Sequence, residues 1–349
     1  MRERSVDLLA LAPSDSLRYA LGFSPIPDER ICILLVSQGQ IALVMPTLNA
    51  DQAAHAAPGL KMFTWTDGAE PAQALREGLA STGGAPGRVA VDPKMRADVL
   101  LVLQGSLSGA EHVSADDVLS PIRMVKSPDE LELLAASART ADDAILSALA
   151  ACRGGRNRVR RQQRRLDELP RGRRRRDLRA RRVRVHGVFP HHHTSDRVLE
   201  EGDAVVIDLG GRLNGYCSDI TRMAYVGEPS ARYREIHGIV ESAVVAGMAA
   251  ARAGVPAGEV DRAARAVIEA AGYGEYFVHR TGHGLGLSTH EMPYLRSDAP
   301  DVLEVGNVVS IEPGIYLPGE FGVRLEEIVH LTPDGARRFS RLPRDVRAI

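Results

Sequence analysis

Lysine is almost missing from this chain: of its 44 basic residues, only Lys61, Lys94 and Lys126 are lysine, and the remaining 41 are arginine. With alanine abundant, the bias points to a GC-rich gene. Cysteine is equally scarce. Cys32, Cys152 and Cys217 form an odd, widely spaced set with no Cys-x-x-Cys pair, which excludes a disulfide scaffold and points to a reducing compartment. No apolar run approaches the ~18 residues of a membrane helix, and the N-terminal stretch carries no signal-peptide cleavage pattern. A cytoplasmic protein without membrane partners is therefore expected. Internal repeats are absent as well. Net charge is only −1, and for the chain as a whole that balance argues against a dedicated nucleic-acid binder.

What is present is ordinary in bulk. A composition of 44% hydrophobic and 26% charged residues suits a globular protein. A length of 349 residues makes two domains the default, with enough core that neither disulfides nor metal are needed merely to fold. The charge, however, is unevenly spread. Residues 151–190 hold sixteen Arg against Asp167, Glu168 and Asp177, a local +13, so the remainder carries −14.

The first part of the chain alternates strand-like and helix-like pieces. Ile31–Val36 and Gln40–Met45 are apolar, β-branched runs separated by Ser37-Gln38-Gly39, a hairpin signal. Ala72–Leu79 reads as a helix with Pro71 at its start, and Val89–Val91 as a strand. Ser127-Pro128-Asp129-Glu130 is a capping box opening a helix to about Ala151. The boundary is drawn just before it, giving an α/β domain over 1–123 and a second domain over 124–349. In the latter, strands are expected at Ala204–Leu209, Ser218–Val226, Val308–Glu312 and Val323–His330, and helices at Ala231–Ala253 and Val260–Ala271.

Asp208 lies in the buried-looking strand Val205-Val206-Ile207-Asp208-Leu209, and Asp219 eleven residues later in Cys217-Ser218-Asp219-Ile220-Thr221-Arg222. Between them stands Asn214-Gly215, a strong two-residue hairpin turn. That turn sets 208 opposite 221, with 219 its diagonal neighbour; a slip of the turn by one residue sets 208 opposite 219. Either register puts both carboxylates on one face. Two aspartates flanking a hairpin are unremarkable in themselves, but an Asp among Val-Val-Ile has to be paired or metal-bound. The pattern recurs at Glu312 and Glu326, whose midpoint is Gly319 in Pro318-Gly319-Glu320, so a three-residue turn pairs them. Four converging carboxylates need protons or cations between them, and two divalent ions match the charge. His283, in Thr281-Gly282-His283-Gly284, is the fifth candidate, since flanking glycines let the backbone approach closely. His279 and His290 lie four residues before it and seven after. Four carboxylates and one imidazole form a hard donor set, better suited to Mn²⁺, Co²⁺ or Fe²⁺ than to tetrahedral Zn²⁺.

In these contexts, Ile-Asp-Leu-Gly, Ser-Asp-Ile-Thr-Arg, Thr-Gly-His-Gly, Ile-Glu-Pro-Gly and Gly-Val-Arg-Leu-Glu-Glu, the five residues resemble the ligand set of the pita-bread metallopeptidases, the group of prolidase and Xaa-Pro aminopeptidase. Arg18-Tyr19-Ala20-Leu21-Gly22-Phe23 and Val125-Lys126-Ser127 are similar to the family's creatinase-type N-terminal domain and its junction. The resemblance implies a creatinase-like α/β domain followed by an α+β pita-bread catalytic domain, and two divalent ions on Asp208, Asp219, His283, Glu312 and Glu326, with Mn²⁺ ahead of Co²⁺, Fe²⁺ and Zn²⁺. It implies that water activated between the ions attacks the scissile carbonyl, with Glu312 also moving the proton. His290 would contact the tetrahedral intermediate or substrate amide, His279 and His191 would line the proline pocket, and Arg324 would supply a charged contact. Tyr316 and Glu327 would support the ligands from outside, Glu327 standing where the family usually has Asp. The substrates implied are short proline-containing peptides, whose Xaa-Pro bond lacks the N–H other peptidases use. The chain's compactness favours a dipeptidase over an aminopeptidase for longer peptides, and the family implies a homodimer.

Residues 153–188 depart from that resemblance, having no apolar periodicity where the family has a helix and a strand. Three readings remain open: a basic arm for nucleic acid, which the acidic background disfavours; a solvated segment; and a stretch translated out of frame, with the frame restored near Phe189. If the polypeptide carries this segment, a core helix and strand are replaced and a catalytically impaired protein is the alternative. A metal-free creatinase-like hydrolase and a silent binding protein are discounted because all five ligand-type residues are present.

Overall fold

The computed structural model describes residues 1–152, 182–185 and 199–349, the strand at 182–185 by its backbone alone. His191 and most of the Arg-rich stretch 153–188 lie outside the described residues. The chain divides into two compact units, Met1–Arg123 and Met124–Ile349.

The first unit is one mixed sheet with helices on both faces. Its strands are β1 (Leu8–Leu11), β2 (Ile33–Val36), β3 (Ile41–Pro46), β4 (Lys61–Trp65), β5 (Arg88–Val91) and β6 (Glu111–Ser114), in the order β4-β3-β2-β1-β5-β6. The hairpin read at Ser37-Gln38-Gly39 joins β2 to β3, pairing Val36 with Ile41. Alternation then divides the apolar side chains between two cores. Leu8, Ile33, Leu35, Val44 and Val89 pack with Leu75 of α3 (Pro71–Ser81) and Leu103 of α4 (Ala97–Ser106). Leu9, Leu11, Leu34, Leu43 and Ala90 pack on the other face with Leu17 of α1 (Asp15–Leu21), Ala53 of α2 (Ala50–Ala56) and Val118 of α5 (Asp116–Met124).

The second unit opens with α6 (Pro128–Cys152), whose capping box is reciprocal: Ser127 N–H donates to Glu130 Oε2 (2.9 Å) and Glu130 N–H to Ser127 Oγ (3.3 Å). After β7 (Arg182–Val185) come the long strands β8 (Ala204–Leu213) and β9 (Tyr216–Tyr225). Asn214 and Gly215 turn between them with φ of 51° and 91°, the mirror-image turn that matches strand twist. The ladder therefore follows the first of the two registers, Asp208 opposite Thr221 and Gly210 opposite Asp219. Val205, Ile207 and Leu209 face α6, against Ala141, Ile145 and Ala148. The opposite face, bearing Val206 and Met223, meets α7 (Ala231–Ala250) and α8 (Ala257–Ala270) in the main core.

The remaining strands are β10 (Gly282–Gly284), β11 (Glu291–Leu295), β12 (Val308–Ile311), β13 (Gly314–Tyr316), β14 (Gly322–Arg324), β15 (Glu327–Thr332), β16 (Gly335–Arg338) and β17 (Arg347–Ala348). Ile311 pairs with Glu327 and Gly314 with Arg324, while Leu317 N–H closes the Pro318-Gly319-Glu320 turn onto Phe321 O (2.8 Å). That is the register expected from the Gly319 midpoint. Helix boundaries differ from the sequence reading by a turn or less. No helix among the described residues is long and apolar enough to cross a membrane.

Candidate metal centre

Strand parity explains why the carboxylates meet. Asp208 shares its face with Val206, and Asp219 and Thr221 share theirs with Met223, so one sheet face is apolar at one end and acidic at the other. The second hairpin is interrupted at the same level. Between its paired segments, Glu312 N–H turns to Thr281 O (2.7 Å) and Glu326 N–H to Thr221 O (3.3 Å). Each break replaces a cross-strand bond by one to a neighbouring strand, which draws the two hairpins and the His283 segment together.

Close backbone approach brings in His283. A Cβ on Gly282 would lie 1.9 Å from Ser310 O, and one on Gly284 would lie 2.2 Å from Met292 O, so no larger residue fits at either position. His283 N–H donates to Ser310 Oγ (2.9 Å), and the same hydroxyl donates to Glu312 Oε1 (3.0 Å). His283 Nδ1 faces Gly284 O at 3.0 Å, which leaves Nε2 directed at Glu312 Oε1, 3.1 Å away.

Three overlapping groups of donor atoms lie within 4.8 Å of one another: Asp208, Asp219 and Glu326; His283, Glu312 and Glu326; and Asp219, His283 and His290. Asp219, His283 and Glu326 are buried, Asp208 and Glu312 partly so, and His290 is exposed. The His290 ring stands edge-on to His283, centroids 4.3 Å apart. The electrostatics are those of a site short of positive charge. Burial, followed by the charges of Asp219, Glu312 and Asp208, raises the Glu326 pKa well above the carboxylate range. Burial also acts against the Glu312 carboxylate, but its bond to His283 and the charges of His283 and Arg324 prevail and hold it at about 2. Burial would lower His283, yet Glu312 and Asp219 raise it on balance. The upward shifts of Glu326 and His283 both reflect carboxylates that lack compensating positive charge. Hard oxygen donors with one imidazole fit divalent ions bound at two adjacent positions.

A hydrogen-bonded chain leads outward from Asp208. Arg324 Nη2 donates to Asp208 Oδ2 (2.7 Å) and Nη1 to Tyr316 Oη (3.0 Å), and Tyr316 Oη meets His279 Nε2 at 2.9 Å. Burial disfavours the Arg324 charge, but Tyr316, Asp208 and Glu312 keep it firmly protonated. Of the residues singled out from sequence, Asp208, Asp219, His283, Glu312, Glu326, His290, Arg324 and His279 all belong to this cluster or this chain; His191 lies outside the described residues. Glu327 points away from the carboxylates, into Arg222 at 2.7 Å and Arg344 at 3.0 Å. Thr221 was not singled out from sequence, yet its hydroxyl donates to Glu326 Oε2 (2.8 Å). Its place two residues beyond Asp219, on the same strand face, is the signal that identifies it.

Comparison with known proteins agrees with this geometry. Residues 134–333 match metallopeptidase family M24, and residues 1–125 match the creatinase/prolidase N-terminal domain. The chain is 38% identical to the probable dipeptidase PepE of Mycobacterium tuberculosis, over 97% of this chain and 91% of the other. It is 32% identical to the Xaa-Pro dipeptidase of Pyrococcus furiosus, over 99% and 97%. The crystal structure of a dipeptidase from Pyrococcus horikoshii superposes with a TM-score of 0.90 at 32% identity, covering 100% of this chain and 97% of the other.

The chain belongs to metallopeptidase family M24, with the creatinase-type α/β domain followed by the pita-bread catalytic domain.

Proposed function

We propose that this M24 metallopeptidase is an Xaa-Pro dipeptidase that works with two divalent ions, Mn²⁺ foremost, as a cytoplasmic homodimer. The observation that carries the reading is the convergence of Asp208, Asp219, His283, Glu312 and Glu326, from two hairpins and a glycine-flanked strand, into overlapping donor groups within 4.8 Å. Those five residues would hold the ions, which when bound polarise a carbonyl and lower the pKa of water.

The protein's own groups would do the rest. Glu312 would accept a proton from the attacking water and return it to the leaving proline nitrogen. His290, exposed beside His283, offers a ring nitrogen to the carbonyl oxygen or amide of the bound peptide. Arg324 stays charged beside Asp208 and is the candidate partner for a substrate carboxylate. His279, held by Tyr316, forms a wall for the proline ring. An Xaa-Pro bond has no N–H, so shape and imidazole contacts must replace the missing donor.

Hydrolysis of Xaa-Pro dipeptides, compared with Xaa-Pro tripeptides in the presence of Mn²⁺, tests the substrate class. Cleavage of dipeptides with tripeptides left intact is expected. Tripeptide cleavage with dipeptides spared would instead make the protein an Xaa-Pro aminopeptidase.

A further inference from the structure

Behind the carboxylate cluster lies a second, internal set of charges that the proposed reaction does not use. Arg222 follows Thr221 on β9 and so projects to the opposite face, where it is only 3% exposed. Its guanidinium fastens three segments. Nη1 donates to Thr221 O (3.0 Å) and Glu326 O (2.6 Å); Nη2 donates to Glu327 Oε1 (2.7 Å), Ser340 Oγ (3.2 Å) and Leu342 O (3.0 Å); Nε donates to Pro343 O (3.0 Å). The segment at 340–344 is itself anchored. Ser340 Oγ and Arg341 N–H reach Asp142 of α6 at 2.7 and 2.9 Å, and Arg344 grips Glu241 of α7 at 2.6 and 2.7 Å while donating to Glu327 at 3.0 Å.

Burying such a set is a poor way to gain stability, because desolvation offsets most of the attraction. Geometry supplies a better reason. Thr221 and Glu326 are already joined twice, by Glu326 N–H to Thr221 O and by the Thr221 hydroxyl to the Glu326 carboxylate. A single nitrogen of Arg222 spans the carbonyls of the same two residues. Thr221 lies opposite Asp208 in the first hairpin, and Glu326 belongs to the second. Arg222 therefore sits where the spacing between the two acidic hairpins is set.

We propose that Arg222, with Glu327 as its fixed counter-ion, is a positioning residue that staples the Asp208–Asp219 hairpin to the Glu312–Glu326 hairpin and so sets the geometry in which two ions bind. The proposal rests on the two-ion reading above. It assigns a planar, five-donor fork to the role, which a single ammonium cannot fill.

Mn²⁺ titration calorimetry of the full chain tests it, using wild type, Arg222→Lys, Glu327→Gln and Val329→Ala. Val329 is a buried core residue on the same strand, β15, and forms none of the staple's hydrogen bonds or ion pairs, so its truncation reports what lost stability alone does. Arg222→Lys is expected to weaken Mn²⁺ binding at least tenfold and Glu327→Gln at least threefold, with Val329→Ala binding as wild type despite a lower Tm. Wild-type isotherms for both staple variants overturn the proposal, as does equal weakening in Val329→Ala. If Arg222→Lys does not fold, Glu327→Gln decides alone. A flat wild-type titration overturns the two-ion reading and this proposal together, whereas identical isotherms overturn this proposal only.

Discussion

Replacing Tyr316 by Phe removes one oxygen from the interior of the site and leaves the ring in place. That oxygen accepts from Arg324 Nη1 at 3.0 Å and meets His279 Nε2 at 2.9 Å. Tyr316 and Arg324 are both 5% exposed, so water has little room to take its place. A hydrogen bond to a charged group contributes about 1.5–3 kcal/mol and a neutral one about 0.5–1.5 kcal/mol. Losing both costs roughly 2–4.5 kcal/mol, or about 4–18 °C in Tm for a unit of this size. The share belonging to Arg324 corresponds to roughly 10- to 150-fold in kcat/KM, at about 1.4 kcal/mol per factor of ten. Initial rates on Xaa-Pro dipeptides with excess Mn²⁺, together with calorimetric melting, read both quantities. A lowered Tm with unchanged kcat/KM would reduce the hydroxyl to a packing element, and no change in either would refute the chain from His279 to Asp208.

Other consequences follow from buried charge. Burial, followed by the charges of Asp219, Glu312 and Asp208, raises the Glu326 pKa well above the carboxylate range in the ion-free site. A carboxyl raised on folding contributes stability below its unfolded pKa and loses it as pH rises through the folded value. The stripped protein should therefore lose Tm as pH rises above the ordinary carboxylate range, and Mn²⁺ should bind more tightly with rising pH while releasing protons, as calorimetry in buffers of different ionisation enthalpy would reveal. Lys126 donates to Glu291 at 2.8 Å with side chains 1% and 10% exposed, one residue from His290. Lys126→Met should cost about 3–5 kcal/mol in thermal melting, because it removes the cation paired with the largely buried Glu291 carboxylate, and Lys126→Met with Glu291→Gln should recover part of that loss.

The sequence made the ligand pairs legible because local turns govern them. Asn214-Gly215 admits few hairpin geometries, and the observed φ values place Asp208 opposite Thr221 as that turn requires. Pro318-Gly319-Glu320 does the same for Glu312 and Glu326, although the strand breaks that aim them inward depend on bonds to Thr281 and Thr221. The Arg222 staple and the Lys126–Glu291 pair are of another kind. Their partners are 105 and 165 residues apart, so no local periodicity signals them. In the first unit, the strands themselves were readable from β-branched runs, whereas the placement of β5 beside β1 is set by the crossover through α3 rather than by any short motif.

Counting ions and turnover on the same preparation tests the two-ion centre most directly. The chain is stripped with chelator, titrated with Mn²⁺, and assayed on an Xaa-Pro dipeptide at each step, with Asp219→Asn in parallel. Hydrolysis should vanish on stripping and return as two ions bind per chain, while Asp219→Asn should neither hold the pair nor recover the activity. Full hydrolysis by the stripped protein, or an Asp219→Asn variant that binds two ions and turns over like wild type, would contradict it.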